Sequence, residues 1–173
     1  PTSDYAPYSM YQYARLLKDV DKVLMYLKRI LKEYPYYNDM DVVYNDLGTI
    51  YFLLEEYGQS KLYFYKLYKT YKRSKLSIRA MYYIGKCFFK ENNFEKALDW
   101  YDALYRSFPE DYYASLALFD TGYVYEYKKD YDRALMYYKK MVTEYPDSNA
   151  ISKSLYRQAL IYASVKRKLD RAY

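Results

Sequence analysis

Histidine is absent from this sequence of 173 residues, and Cys87 is its only cysteine. The first absence removes the commonest general acid–base group; together the two exclude zinc sites of the usual Cys/His type. A lone cysteine cannot build a disulfide framework within one chain. Four glycines and five prolines are too few for an all-β fold with its many turns, and they suit long helices joined by short loops. No apolar run approaches the roughly 18 residues of a membrane span. No signal peptide and no glycine-rich phosphate loop is visible. The chain begins at Pro1 without methionine and stops at Tyr173 inside a helical pattern. A piece of a longer protein is therefore expected, and missing targeting signals carry little weight.

Tyrosine is abundant, with 31 residues in a chain that is 52% hydrophobic. Each ring buries a large apolar area, yet its hydroxyl needs a partner or water. A broad aromatic core is expected, with many rings partly exposed.

The organisation lies in an internal repeat. Gly48, Gly85 and Gly122 recur every 37 residues, as do Ser60, Ala97 and Ala134. Pro35, Pro109 and Pro146 keep the same step, with Lys72 in the vacant slot. Around each glycine stands one pattern: Tyr44-x-x-Leu47-Gly48-x-x-Tyr51, Met81-x-x-Ile84-Gly85-x-x-Phe88 and Leu118-x-x-Thr121-Gly122-x-x-Tyr125. A degenerate fourth reads Leu155-x-x-Gln158-Ala159-x-x-Tyr162. Spacings of three, four and seven place these residues on one helical face. A second helix follows in each repeat, carrying Ser60-x-x-x-Phe64, Ala97-x-x-x-Tyr101 or Ala134-x-x-x-Tyr138. Tyr34-Pro35, Phe108-Pro109 and Tyr145-Pro146 mark its end, because proline disfavours helical geometry in the residue before it.

These residues resemble the tetratricopeptide repeat family, whose signature is W-x2-L-G-x2-Y, then A-x3-F, then P. The resemblance covers nearly the whole chain. It implies an all-α fold, a right-handed superhelical solenoid of antiparallel helix pairs. Residues 1–173 are expected to form one domain of about five pairs. First helices are expected over roughly 7–18, 38–56, 75–91, 112–128 and 149–166, and second helices over 20–34, 58–73, 94–108, 131–145 and from 169 onward. The first pair departs from the pattern, with Tyr11 in the glycine slot and Val23 in the alanine slot. The fifth carries one extra residue before Ala172, and its second helix is cut. That end should expose apolar surface and offers a site for self-association. A 37-residue period with a Tyr-Pro-Asp-Ser turn is also similar to tetratricopeptide proteins of the bacterial cell envelope, which would place the chain in the periplasm or envelope.

No catalytic constellation emerges, and a non-enzyme without cofactor or metal is expected. Glu55–Glu56 and Glu110–Asp111 read as solvated turn charges, and Asp130 and Asp132 as helix-capping groups. Cys87 beside Phe88 reads as a small buried core residue. Tyr44, Tyr51, Phe64, Tyr101, Tyr125 and Tyr138 read as packing.

Charge is uneven. Residues 57–90 contain no Asp or Glu and carry Lys61, Lys66, Lys69, Lys72, Arg73, Lys75, Arg79, Lys86 and Lys90. The whole chain is only +6, so the remainder is net acidic. In the tetratricopeptide family the first helices line a concave ligand groove. Carried onto this sequence, the resemblance places Asn45, Arg79, Tyr82, Lys86, Lys90, Phe119, Tyr123 and Tyr156 there. Arg79, Lys86 and Lys90, separated by seven and four, share one face. The expected function is a protein-interaction scaffold whose aromatic, centrally basic groove holds a segment of a protein or peptide partner, acidic or aromatic in character. The family's carboxylate clamp is not reproduced. The alternative is binding of an anionic surface, nucleic acid or membrane, through the basic stretch.

Overall fold

The computed structural model describes residues 5–169, with side chains through Ser164. The described residues form nine helices and no strand: α1 (Tyr5–Leu16), α2 (Val20–Glu33), α3 (Met40–Leu53), α4 (Tyr57–Thr70), α5 (Lys75–Lys90), α6 (Phe94–Ser107), α7 (Tyr112–Tyr127), α8 (Tyr131–Glu144) and α9 (Ile151–Leu169). Short polar side chains start several of them. The carboxylate of Asp19 accepts the backbone N–H groups of Asp21 and Lys22, Asp111 accepts that of Tyr113, and Asp130 that of Arg133. Such caps satisfy donors that the first helical turn leaves unpaired.

The two kinds of loop repeat as faithfully as the helices. Second helices end on an aromatic residue, Tyr34, Tyr71, Phe108 or Tyr145, whose N–H closes on the carbonyl four residues earlier. Turns inside a pair instead pass through a left-handed residue: Glu55, Asn92 and Lys129 have φ of 61°, 60° and 62°. The following N–H groups of Glu56, Asn93 and Asp130 reach back to Tyr51, Phe88 and Tyr125 at 2.8–2.9 Å. This six-residue closure is the Schellman motif, made here without glycine. It stops α3 at Leu53, three residues before the expected end.

The chain divides into two compact units, Pro1–Cys87 and Phe88–Tyr173, with the boundary inside α5. In the first unit α1 packs on α2, α2 on α3 and α3 on α4. Leu24, Leu27, Ile30, Met40, Val43, Leu47 and Tyr51 form its core, with Tyr44 and Tyr63 packed against them. In the second unit α7 packs on α6 and α8, and α8 on α9. Leu118 and Met141 form one core cluster; Ala134, Tyr138 and Ile161 form another. Fully burying one such side chain stabilises a fold by about 1.5–3 kcal/mol. Ser60, Ala97 and Ala134 are fully buried, as expected for the small-residue slots. Tyr51, Phe64, Tyr101 and Tyr138 are core residues, and Cys87 is buried.

The end of α9 also needs correction. The first helix of the fifth pair was expected to stop near residue 166, yet α9 runs to Leu169. The sequence Val165-Lys-Arg-Lys-Leu169 contains no glycine, proline or asparagine to break it, and lysine, arginine and leucine are good helix formers. The expected second helix beyond residue 169 lies outside the described residues.

Candidate partner-binding surface

In the first unit the candidate face is built by first helices α3 and α5, with α1 behind. The hydroxyl of Tyr11 on α1 donates to Asp46 Oδ2 at 2.6 Å. Asp46 Oδ1 accepts Asn45 Nδ2 at 3.0 Å, and Asn45 Oδ1 accepts the guanidinium of Arg79 on α5. This polar ladder ties three helices together and fixes the orientation of the Asn45 amide. Burial, and then the hydrogen bond to Asp46, hold the Tyr11 phenol well above its ordinary range. Asn45 itself is buried, at 6% exposure, so its role is to position Arg79.

The cations of α5 rest on rings. Arg79 lies 4.8 Å from the Tyr83 centroid, and Lys86 lies 5.4 Å from that of Tyr82 and 6.0 Å from that of Phe52. Such contacts contribute about 0.5–2 kcal/mol each. Tyr83 is gripped in turn by Phe52 at 5.2 Å and Phe64 at 5.1 Å. Tyr82 is buried at 6% exposure, so it too acts as a wall behind a cation. The two groups that hold Arg79, Asn45 and Tyr83, are uncharged, and among the described residues no carboxylate pairs with it.

In the second unit the face is formed by α7 and α9. Phe119, Asp120, Tyr123, Lys153, Tyr156 and Arg157 surround an open pocket of about 300 Å³. Arg157 lies 4.7 Å from the Tyr123 centroid and pairs with Glu126 at 3.2 Å. The other oxygen of Glu126 accepts the Tyr138 hydroxyl at 2.7 Å. That bond and the burial of Tyr138 raise its pKa strongly, burial being the larger cause. Phe89, Phe94 and Tyr127 add an aromatic cluster with centroids 5.1–6.0 Å apart. Lys90 is exposed at the end of α5. Another pocket of this unit, about 400 Å³ between α6, α7 and α8, has internally matched charges: Asp102 pairs with Arg106, and Lys140 sits over Tyr105.

The structure thus joins Asn45 to Arg79, sets Tyr82 under Lys86, and gathers Phe119, Tyr123 and Tyr156 around one pocket. Asp46, Tyr83 and Arg157 were absent from the sequence-based set. A signal for them existed: Asp46, Tyr83, Asp120 and Arg157 share a single slot of the 37-residue repeat. Among the described residues no cluster of acidic or cysteine side chains could hold a metal ion, and no helix is long and apolar enough to cross a membrane.

Sequence models of the tetratricopeptide repeat match residues 45–112 and 116–148, more than half of the chain. The chain belongs to the tetratricopeptide repeat family, and its fold is that family's solenoid of helix pairs. No curated protein sequence matches it. Among solved structures it is similar to the apo form of RapI, with a TM-score of 0.77, 11% identity, and coverage of 95% of this chain and 64% of RapI. It is similar to MamA, with a TM-score of 0.68, 20% identity, and coverage of 88% and 82%. It is also similar to the TPR2AB domain of yeast Sti1 in complex with pHSP90, with a TM-score of 0.66, 16% identity, and coverage of 78% and 51%. The chain therefore spans less than two thirds of the RapI and Sti1 chains.

Proposed function

We propose that this chain, as a repeat domain of about five helix pairs, is a non-catalytic scaffold whose first-helix faces receive a segment of a partner protein. The face of the first unit would receive acidic groups at Arg79 and Lys86; that of the second unit, by itself, suits apolar or aromatic groups at Phe119, Tyr123 and Tyr156. Arg79 carries the reading. Its guanidinium is held in place by Asn45 and Tyr83, both neutral, so it keeps its charge and spare N–H donors for a carboxylate. A pre-oriented arginine loses little freedom on pairing, and arginine and aromatic residues dominate binding hot spots. The Sti1 domain, solved with pHSP90, supports the class of ligand.

The test is a peptide array probed with the wild-type chain and with Arg79→Ala/Lys86→Glu. Tyr82 is a poor probe because it is buried. Capture of acidic peptides by the wild type alone supports the reading, provided both proteins melt alike. Equal capture by both rejects the site.

A second reading rests on Lys66, Lys69, Lys72, Arg73 and Lys75, all exposed. They form a cationic surface suited to phosphate groups of a nucleic acid or membrane. Affinity for such a polyanion would fall steeply with salt; no binding at low salt removes this reading.

A further inference from the structure

The second unit holds a cavity of about 400 Å³ between second helices α6 and α8, floored by α7. Sites for small ligands span roughly 300–1,000 Å³. Comparison of repeat slots explains why the space exists. Leu118 and Thr121 on the floor stand in the slots of Tyr44 and Leu47 of α3, and each is smaller than its counterpart. The walls are kept. Tyr137 stacks on Tyr125 as Tyr63 stacks on Tyr51, each pair 5.5 Å apart and inclined by 8°. Tyr105 is larger than Leu31, whose slot it takes, but it leaves the gap open: its hydroxyl reaches Glu144 at 2.8 Å, and its ring lines the side.

The first unit shows what belongs in such a space. There the ring of Tyr44 lies 6.4 Å from Tyr63 and 6.0 Å from Tyr71. The ammonium of Lys28 rests 5.4 Å from the Tyr51 centroid. A phenol ring and a cation thus lie against the stacked pair. In the second unit the ring's slot holds Leu118, and the slot of Lys28 holds Asp102. Ring and cation are both missing, and an anion stands where the cation was.

Charge points the same way. The cations around the cavity already have carboxylates: Arg106 pairs with Asp102 at 2.9 Å, Lys140 with Glu144 at 4.0 Å and Arg133 with Asp130 at 3.4 Å. Beyond these matched pairs, Asp99 also lines the cavity and has no ion pair among the described residues. It stands one turn before Asp102 on the same face of α6. The hydroxyls of Tyr125 and Tyr137 have no hydrogen-bond partner among the described residues either, so they are available to a polar group on a bound ring.

We propose that the cavity between α6 and α8 binds an aromatic ring joined by a short alkyl chain to a protonated amine. The ring takes the space that Tyr44 fills in the first unit, and the ammonium pairs with Asp99. Two sources carry this chemistry, a free arylalkylamine and the N-terminal aromatic residue of a peptide. The cavity lies on second helices and does not depend on the first-helix faces discussed above.

The probes are tyramine, a tripeptide with N-terminal tyrosine, p-cresol, which lacks the amine, and hydroxyphenylpropionate, which carries the opposite charge. Each is titrated by calorimetry into the full chain and into Asp99→Asn and Leu118→Tyr, and the melting curves of the three proteins are compared. Expected is saturable binding of tyramine or the tripeptide by the wild type, the tighter of the two naming the source. Binding of p-cresol and of the propionate should be at least about tenfold weaker. Asp99→Asn should weaken the amines to a similar degree and leave p-cresol unchanged. Leu118→Tyr supplies the missing ring from within and should bind no probe. Asp99 is exposed, so its variant keeps the test decisive even where Leu118→Tyr unfolds. Absence of saturable binding of both amines, propionate binding as tightly as tyramine, or amine affinity unchanged in Asp99→Asn overturns the proposal.

Discussion

The ring of Phe64 lies so close over Gly48 that a Cβ there would stand 2.9 Å from three ring carbons. Tyr138 repeats the contact over Gly122, where a Cβ would meet the ring at 2.7 Å. Both rings are fully buried, so neither can swing aside. Gly58, inside α4, has nothing within 4 Å of an added Cβ. Alanine improves helix propensity at any of the three by about 1 kcal/mol, but overpacking costs about 1–3 kcal/mol. Gly58→Ala should therefore stabilise, while Gly48→Ala and Gly122→Ala should destabilise, Gly122→Ala more because Tyr138 is also tethered to Glu126. Urea melts of the three variants check the order. A stabilising Gly48→Ala would contradict the close-approach argument.

The left-handed turn residues give an opposite expectation. Glu55 and Lys129 hold positive φ, which costs a side-chain-bearing residue about 1–2 kcal/mol relative to glycine. Glu55→Gly and Lys129→Gly should raise the melting midpoint. Asn92→Gly should do less, because asparagine tolerates this conformation. If all three substitutions lower stability, the gain in native geometry is outweighed by the entropy glycine adds to the unfolded chain.

These turns also show where sequence reading succeeds and where it fails. The 37-residue period located all nine helices of the described residues because successive repeats bury the same slots: Leu47 and Thr121 at one, Ser60 and Ala134 at another. The ends of α3 and α4 were drawn late, at 56 and 73 rather than Leu53 and Thr70. The stop at α3 is a backbone conformation carried by glutamate, with no glycine to announce it, and Lys72 stands where the other repeats place proline. Asn45 and Arg79 were both legible as groove positions of successive repeats, but their contact was not, since they occupy different slots. Nor was their division of labour: burial makes Asn45 and Tyr82 supports, and only packing reveals burial. The Glu126–Arg157 pair joins two different slots, so no periodic signal points to it.

Alkali should weaken the fold in a defined window. Burial, and then the neighbouring Tyr105, Glu144 and Glu110, push the Tyr145 phenol up to about 12; Tyr11 and Tyr138 are raised further. An unfolded tyrosine ionises near pH 10. The unfolded chain therefore releases these protons first, and the stabilisation, complete below about pH 10, is lost as pH rises through the folded values. Circular dichroism with tyrosinate absorbance should show unfolding and ionisation advancing together above about pH 10. Tyr138→Phe should make the decline shallower, since it removes one titrating group. Constant stability to about pH 11 would contradict the assignment.

Cys87 should behave as a reporter of opening rather than as a nucleophile. Its thiol is fully buried and directed at Ser60 Oγ at 3.3 Å, which donates in turn to the Gly48 carbonyl at 2.8 Å. A thiol reagent reaches such a sulfur only when the surrounding helices separate, so labelling should follow the opening equilibrium and accelerate with denaturant. Ser60→Ala puts into this slot the residue that the next two repeats use, Ala97 and Ala134. Loss of one hydrogen bond there should change stability by about 1 kcal/mol and leave labelling slow in native buffer. Gly48→Ala, by contrast, should quicken labelling, because forcing Phe64 outward loosens the α3–α4 contact around the thiol. Native labelling as fast as that of a free thiol would show that this part of the first unit opens readily, against the packing described.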